Sequence, residues 1–316
     1  MKLLVTTRWD PHQLESVRAA FPQVEFVTAI TSAEMASAIV DAEVVFGRID
    51  RPAFLAAKQL KWIQSQGAGV ETMADIPELI GSPVIVTNTR GAHAQTIAEH
   101  AFGMLLYMTR QFEQLVAAQK ASTWAGAIKP AQVGLSGMTL GIVGLGNIGR
   151  AIAKRGWAFD MEVVAVDIND VAKPDYVAQV HRLDWLPELM QQSDVVAVSA
   201  PFTPQTEGLL SADMLALMQP SAYLLVVSRG GIIDEAALSG MLRAGKLAGA
   251  ALDVTSVEPL PASSELWNTP NLFLSPHCSG RSTQTTSLAT GIFRDNLARY
   301  LAGQPLTNLV DISRGF

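Results

Sequence analysis

The chain has 316 residues, of which 49% are hydrophobic and 16% are charged. This composition is too apolar for a disordered chain, and the length suits two domains of ordinary size. Lys and Arg number 23 against 29 Asp and Glu, which gives a formal net charge of −6. That balance argues against the basic surface that binding to nucleic acid or to an anionic membrane requires, so neither partner is expected.

The cysteine content and the first residues bear on the cellular compartment. The single cysteine, Cys278, excludes an intrachain disulfide and a cysteine-based metal site. The apolar run that begins at Leu3 ends before Arg8 and is too short for the core of a signal peptide. Apolar runs such as 102–108 fall far below the roughly 18 residues of a membrane span. We therefore predict a cytoplasmic protein.

Short apolar runs alternate with amphipathic stretches in the first third of the chain. The predicted strands are 3–6, 25–27, 44–46, 62–63 and 84–86, and the predicted helices are 11–20 and 32–41. Such alternation predicts a parallel sheet that is covered by helices on both faces.

A long helix is predicted to begin near Ala92. Apolar residues recur on one of its faces at helical spacing, at Ile97, Ala101, Met104, Leu105, Met108 and Phe112. Its other faces are apolar as well, so we expect this helix to be buried. Residues 123–137, with several glycines and a proline, are predicted to form a connection.

A second alternating unit follows that connection. Its predicted strands are 140–143, 163–166, 195–198, 223–227, 250–252 and 272–274, and its first helix is 150–159. A last helix is predicted at 282–302. Its amphipathic register, Leu288, Ile292, Asn296, Leu297, Tyr300 and Leu301, predicts that it packs back on the first domain.

Three glycines lie between the strand 140–143 and the helix that follows it. Gly144, Gly146 and Gly149 have the spacing that permits a tight turn, close approach of backbone to a pyrophosphate, and close helix–strand packing. The helix N-terminus, at Asn147, offers amide donors to phosphates. The spacing alone is a weak signal that a structural turn would also satisfy, but the strand and helix around it favour a dinucleotide site.

The next predicted strand ends in Asp167, which lies 18 residues after Gly149. A carboxylate at this position accepts hydrogen bonds from the adenosine ribose hydroxyls and repels a 2′-phosphate. Residues 168–170 contain no Arg or Lys that would attract such a phosphate. NAD is therefore predicted rather than NADP.

An arginine, a glutamate and a histidine follow in that order. Arg229 lies at the carboxyl end of the strand 223–227, and a guanidinium can fork onto a carboxylate while it polarises a neighbouring carbonyl. His277 follows the strand 272–274 and is suited to donate a proton near neutral pH. Glu258 can orient its ring and stabilise the imidazolium. Each residue alone would be an ordinary loop residue, but the ordered set indicates hydride chemistry on a small acidic carbonyl compound.

Other polar residues give weaker signals. Asp253, after the strand 250–252, can accept from a nicotinamide carboxamide, although many such residues only begin a loop. His93 and His100 do not have the spacing of the HExxH metal motif, and no carboxylate or cysteine cluster joins them in the sequence, so packing is favoured and no metal is expected. No second feature supports Cys278 as a nucleophile.

Longer stretches around these residues resemble the D-isomer-specific 2-hydroxyacid dehydrogenase family over nearly the whole chain. The matching stretches are 66–71, 88–91, 97–100, 140–149, 203–208, 228–231, 252–254, 258–260 and 275–280. The resemblance implies an α/β fold of two parallel-sheet domains. A flavodoxin-like substrate domain, 1–98 with 284–316, would receive a Rossmann dinucleotide-binding domain, 99–283, as an insertion.

The resemblance also implies roles for individual residues. It implies Arg229, Glu258 and His277 as the catalytic set, and the amides of Ala68, Gly69 and Val70, with Arg229 and His277, as the substrate site. It implies cofactor contacts at Thr96, Gly144, Gly146, Asn147, Ile148, Gly149, Asp167, Ala200, Val227, Ser228, Arg229, Asp253, His277 and Gly280. A homodimer built largely through the dinucleotide domain is implied as well.

Three positions depart from the usual family pattern. Ser228 stands where Ala or another small residue is frequent, Ala200 where Leu or Thr is common, and Glu71 where Asp or Asn is usual. None of these changes removes a catalytic group, although Glu71 can alter the shape of the substrate loop.

The sequence therefore predicts an NAD-dependent oxidoreductase that transfers a hydride to or from C2 of a small 2-oxo or 2-hydroxy acid, such as glyoxylate or hydroxypyruvate. Two alternatives stay open. One is an NADP-dependent reductase of the same family. The other is an NAD-sensing binding protein of the corepressor type, in which the same arginine, glutamate and histidine are expected.

Overall fold

The chain divides into two compact units in a computed structural model, which describes residues 1–70, 73, 75–124, 126 and 132–312. One unit comprises Met1–His93 with Ser282–Phe316, and the other comprises Ala94–Arg281. Each unit has a parallel sheet of its own, which confirms the predicted α/β class with one domain inserted into the other. Glu71 and residues 127–131 of the predicted connection lie outside the described residues.

The first unit begins with strands and helices in alternation. Its elements are β1 (Lys2–Val5), α1 (Pro11–Ala20), β2 (Glu25–Thr28), α2 (Ser32–Ala38), β3 (Val44–Phe46), α3 (Arg51–Ala56), β4 (Trp62–Gln64) and β5 (Ile85–Thr87). The strands pair in parallel in the flavodoxin-like order β2-β1-β3-β4-β5. Leu3 and Leu4 are both fully buried but belong to different core clusters, because successive strand residues point to opposite faces.

The second unit contains the longer sheet. Its elements are α4 (Ala94–Thr109), α5 (Phe112–Lys120), β6 (Thr139–Val143), α6 (Asn147–Ala158), β7 (Glu162–Asp167), β8 (Gln179–Arg182), α7 (Leu186–Gln192), β9 (Val195–Val198), α8 (Ala212–Leu215), β10 (Tyr223–Val226), α9 (Glu235–Arg243), β11 (Gly249–Leu252) and β12 (Leu272–Leu274). All pairs are parallel, in the order β12-β11-β10-β9-β6-β7-β8. Within the described part of the chain, no helix has the length and apolarity that crossing a membrane requires.

The long helix predicted from Ala92 through Phe112 is in fact two helices. Gln111 adopts the left-handed conformation, with φ of 57°, and separates α4 from α5. The last residue of α4, Thr109, has a carbonyl group that accepts a hydrogen bond from the amide of Val133 at 2.8 Å. A segment outside the helix therefore satisfies this carbonyl at the end of α4. Phe112 therefore does not share the buried face of α4, and it is 45% exposed.

The last helix, α10 (Thr283–Leu301), belongs to the first unit, as predicted. Its buried face is centred on Phe293 and Leu297, whereas Leu288 of the predicted register is 52% exposed. Asn296 is fully buried, and its side-chain amide donates to Gln64 Oε1 of β4 at 3.0 Å. A polar residue therefore helps to fix this helix on the sheet, because its buried amide is paired.

Candidate active site

The predicted functional residues of the second unit lie at or just beyond the carboxyl ends of its strands. Gly144 follows β6, Asp167 ends β7, Ala200 follows β9, Arg229 follows β10, Asp253 follows β11 and His277 follows β12. Because all these strands are parallel, their carboxyl ends meet at one edge of the sheet. Open α/β sheets bind ligands at this edge.

The three predicted glycines differ in the surroundings that a side chain would meet at each position. Gly144 has a φ of +92°, and a Cβ there would lie 2.8 Å from Ala200 Cα. A Cβ on Gly149 would lie 2.1 Å from the carbonyl oxygen of Gly144. Gly146 is different, because it is exposed and a Cβ there would meet no protein atom within 4 Å. The turn therefore requires two glycines for its own packing and leaves open space at the third.

That open space lies at the N-terminus of α6. Gly146 is the N-cap of this helix and makes no side-chain hydrogen bond to its first amides. The first amides of a helix otherwise lack acceptors, and the helix dipole favours an anion beside them. The arrangement fits the pyrophosphate of a dinucleotide.

Asp167 is held in a fixed orientation by two backbone amides. Leu145 N donates to its Oδ2 and Asn169 N to its Oδ1, both at 2.8 Å. The side chain is largely buried. Each carboxylate oxygen has more than one lone pair, so these bonds leave acceptor capacity for ribose hydroxyls.

Ser228 carries a buried hydroxyl group close to the proposed cofactor site. Its hydroxyl is buried, and it has no hydrogen-bond partner within the described ranges of the chain. Buried polar groups are almost always paired, so this hydroxyl fits a polar group of a bound ligand. Val227 beside it is buried, Thr96 lies in the first turn of α4, and Gly280 lies in the loop that follows β12.

Arg229 lies in a turn that packs tightly on the turn after β11. Its Nη1 donates to Ser228 O at 2.7 Å, and the side chain is half-buried. A Cβ on Gly230 would lie 2.1 Å from Thr255 O, so only glycine permits this approach. The contact brings the backbone of the arginine turn against the turn that contains Glu258.

His277 and Glu258 form a hydrogen-bonded pair. Nδ1 of His277 lies 2.7 Å from Glu258 Oε2, and Glu258 Oε1 accepts from Thr255 N at 3.1 Å. Because Nδ1 faces the carboxylate, Nε2 is the ring nitrogen that can face a substrate. His277 has a φ of +48°, a conformation that is uncommon for a residue other than glycine and that concentrates at functional sites.

Asp253 anchors the loop that carries His277. Its Oδ1 accepts from Cys278 N at 3.0 Å, its Oδ2 accepts from Ser279 N at 3.0 Å, and its backbone oxygen accepts from His277 N at 2.8 Å. The side chain is completely buried. The sequence pointed only to a contact with the nicotinamide, and this anchoring of three successive amides is an additional property.

No motif in the sequence assigns a functional role to His100 or Ser275, which the structure brings to this site. Nε2 of His100 lies 3.0 Å from Ser275 Oγ, which donates to Asp253 Oδ1 at 2.6 Å. The ligating atoms of His100, Asp253 and Cys278 lie within 4.8 Å of one another. Tertiary packing thus places Asp253 and Cys278 beside His100, although no such cluster adjoins this histidine in the sequence. Burial, and then the charge of Asp253, raise the pKa of the Cys278 thiol.

The loop after β4 in the first unit contains the predicted carboxylate cradle, Ala68–Val70. Asn88 Nδ2 donates to Ala68 O, and Thr89 Oγ1 donates to Gln66 O, both at 2.7 Å. These bonds fix carbonyl groups of the loop. None of the three amides of the cradle donates to an acceptor among the residues that the structure describes. Successive amides without protein acceptors can bind an anion.

Comparisons with known proteins show which family this chain resembles. The family model described as "D-isomer specific 2-hydroxyacid dehydrogenase, NAD binding domain" matches residues 102–279. The D-3-phosphoglycerate dehydrogenase of Methanocaldococcus jannaschii is 32% identical over 99% of this chain, which spans only 60% of that relative's length. The glyoxylate reductase of Korarchaeum cryptofilum is 31% identical over 83% of this chain and 80% of its own.

A solved structure extends the similarity to both units. The crystal structure of a D-isomer specific 2-hydroxyacid dehydrogenase family protein from Aeromonas salmonicida matches with a TM-score of 0.88 and 32% identity. The match covers 98% of this chain and 99% of that one. On the fold, the glycine turn and these matches together, the chain belongs to the D-isomer specific 2-hydroxyacid dehydrogenase family.

Proposed function

We propose that this protein is an NAD(H)-dependent oxidoreductase acting at C2 of a small 2-oxo or 2-hydroxy acid, with the D-hydroxy acid as the reduced product. The pairing of His277 Nδ1 with Glu258 Oε2 at 2.7 Å carries the proposal. An imidazolium held by a carboxylate on one nitrogen can deliver the proton on its other nitrogen to a developing alkoxide. The family assignment supports the same class of reaction.

The residues of the site divide the chemistry between them. A bound nicotinamide supplies or accepts the hydride. Arg229 forks onto the substrate carboxylate and polarises the carbonyl oxygen. In reduction, Nε2–H of His277 donates to that oxygen while Nδ1–H donates to Glu258, whose charge stabilises the imidazolium. In oxidation, the neutral ring accepts the hydroxyl proton instead.

The amides of Ala68–Val70 are proposed to hold the substrate carboxylate. Their lack of acceptors among the described residues supports this role, as does the fixing of the loop by Asn88 and Thr89. Charge-assisted bonds from several amides orient a carboxylate without the entropy cost of ordering a long side chain.

NAD rather than NADP is proposed as the cofactor, and the orientation of Asp167 supports this choice. Its carboxylate is fixed beside the glycine turn by Leu145 N and Asn169 N, where it would accept from ribose hydroxyls and repel a 2′-phosphate. The other proposed cofactor contacts are Thr96, Gly144, Gly146, Asn147, Ile148, Gly149, Ala200, Val227, Ser228, Arg229, Asp253, His277 and Gly280.

The decisive experiment follows the loss of NADH or NADPH absorbance with glyoxylate, hydroxypyruvate, pyruvate and phenylpyruvate as substrates. We expect NADH-linked turnover of at least one of these acids. Arg229→Ala should abolish turnover while NADH still binds, because the guanidinium acts on the substrate and Arg229 is only one of many proposed cofactor contacts. Arg294→Ala, at an exposed position of α10, is the control and should behave as wild type.

Each other outcome has a defined meaning. Turnover by Arg229→Ala at the wild-type rate would contradict the mechanism. A strong preference for NADPH would overturn the argument from Asp167. Retained NADH binding without turnover of any 2-oxo acid would favour the NAD-sensing binding protein.

We also propose a homodimer built through the second unit. Large aromatic side chains of this unit are exposed, with Trp157 at 58% and Trp124 at 97%. Aromatic residues are enriched at protein interfaces, and their burial against a second copy would remove much apolar surface from water.

A further inference from the structure

Four side chains of the second unit form a partly buried polar cluster that the proposed chemistry uses only in part. The cluster consists of His100 on α4, Asp253 after β11, and Ser275 and Cys278 on either side of His277. None of His100, Ser275 and Cys278 has a role in the proposed reaction. Asp253 is fully buried, whereas His100 is only partly covered, with 28% of its side chain exposed.

The direction of the hydrogen bonds follows from which of these groups can donate and which can accept. The single proton of the Ser275 hydroxyl goes to Asp253 Oδ1, at 2.6 Å, because a carboxylate is the strongest acceptor nearby. Ser275 Oγ must then accept from His100, whose Nε2 lies 3.0 Å away. His100 therefore carries a proton on Nε2, and the three groups form a chain from imidazole to hydroxyl to carboxylate.

The same aspartate also holds the backbone of the loop that carries His277. Three successive amides, from His277 to Ser279, donate to the backbone oxygen and the two carboxylate oxygens of Asp253. His277 is held at a φ of +48°, which persists only where surrounding contacts enforce it. A rotation of the Asp253 carboxylate would therefore release the amides of Cys278 and Ser279, which directly follow His277.

A bound cation is a poorer explanation of the cluster. The Ser275 hydroxyl already lies at hydrogen-bond distance from both His100 and Asp253. Both carboxylate oxygens accept backbone amides, and the raised pKa of Cys278 keeps its thiol protonated near neutral pH, whereas a metal requires the thiolate. The contacts are those of a satisfied hydrogen-bond network.

We propose that His100 is a positioning residue of the reaction, acting through Ser275 and Asp253 on the loop that carries His277. The inference rests on the proposed function, because it assigns His277 as the proton donor. It assigns His100 no contact with substrate or cofactor. Its effect should therefore fall mainly on turnover, because Asp253 and His277 are only two of the many proposed contacts to NADH.

The test compares two amide replacements of His100. In glutamine the amide nitrogen reaches the position of imidazole Nε2, whereas in asparagine it reaches only that of Nδ1. We expect His100→Asn to lower kcat by about tenfold, the order expected when a hydrogen bond to a charged network is lost, with a smaller change in the Kd for NADH. His100→Gln should stay within about threefold of wild type. Equal rates for the two variants would overturn the proposal.

Ser275 provides an independent pair of variants should His100→Asn fold poorly. Ser275→Ala should lower kcat as much as His100→Asn does. Ser275→Thr keeps the hydroxyl group and should therefore retain a kcat close to that of the wild type. In the Ser275→Ala background, His100→Asn should have no further effect, because the chain is already broken. Additive losses in the double variant would contradict a relay.

A spectroscopic measurement separates this inference from the proposed function. In the ¹⁵N-labelled full chain, the amide resonances of residues 277–279 should shift in His100→Asn and Ser275→Ala but stay at their wild-type positions in His100→Gln. If no 2-oxo acid is turned over, the proposed function fails, and these resonances alone test whether His100 acts through Ser275 and Asp253 on this loop. Unchanged resonances in all variants would refute it.

Discussion

At the scale of single residues, two glycines of the same turn differ in the space that the protein leaves for a side chain. Gly149 leaves no room for a Cβ, which would lie 2.1 Å from Gly144 O, whereas Gly146 has no protein atom within 4 Å of that position. Two residues of the same motif are therefore glycine for different reasons. Only one of these reasons concerns the fold of the chain itself.

The two glycines should respond differently to alanine. Gly149→Ala should destabilise the protein without any ligand, by roughly 1–3 kcal/mol, because it overpacks the turn. Gly146→Ala, at the N-cap of α6, should destabilise the ligand-free protein less than Gly149→Ala does, because no protein atom meets its methyl group. It should weaken NADH binding, because that methyl group occupies the space beside the α6 amides. Thermal unfolding with and without NADH measures both effects. Equal destabilisation of the ligand-free protein by the two variants would contradict this reading.

At the scale of elements, α10 is attached to the first sheet by polar contacts as well as by its apolar face. The hydroxyl of Tyr300 on α10 donates to Glu43 Oε1 at 2.7 Å, just before β3. This bond, opposed by partial burial and helped by Lys61, lowers the pKa of the Glu43 carboxyl below its ordinary value of 4.5. Burial, and then Glu43, raise the pKa of Tyr300.

The contact makes part of the stability dependent on pH. A carboxyl whose pKa is lower in the folded state stabilises the fold above its unfolded value of 4.5 and loses that contribution as the pH falls through the folded value. Tyr300→Phe should therefore cost about 1 kcal/mol near neutral pH, and less in acid. Urea unfolding of both proteins across this range is the measurement, with Tyr176→Phe as the control. A difference that does not vary with pH would argue against the bond.

At the scale of the whole molecule, the proposed homodimer predicts a mass in solution of about twice 33.8 kDa. Trp157→Glu should shift the mass, measured by light scattering, to that of the monomer, because it places a charge in an apolar interface. Leu55→Glu is a matched control, because Leu55 is also 58% exposed but lies in the first unit. A monomeric wild-type protein, or a dimer that survives Trp157→Glu, would refute this interface.

Most strands of both sheets could be predicted because their signal is local. Apolar runs such as Val195–Val198 and Tyr223–Val226 are buried on both faces, and a run of this kind has few other stable environments. β8 was not predicted, because its sequence, Gln179–Arg182, has no apolar run. It is a strand only because it pairs with β7 at the edge of the sheet.

The sequence by itself determined the fold class, the glycine turn and the placement of Asp167, Arg229 and His277 after strands, because each depends on residues adjacent along the chain. Tertiary structure alone decided that the predicted long helix breaks at Gln111 and that Leu288 faces solvent. It also decided the pairing of His100 with Ser275, which are 175 positions apart. Periodicity specifies which face of an element is apolar, whereas contacts between distant polar residues depend on how the elements pack, and no local pattern encodes that packing.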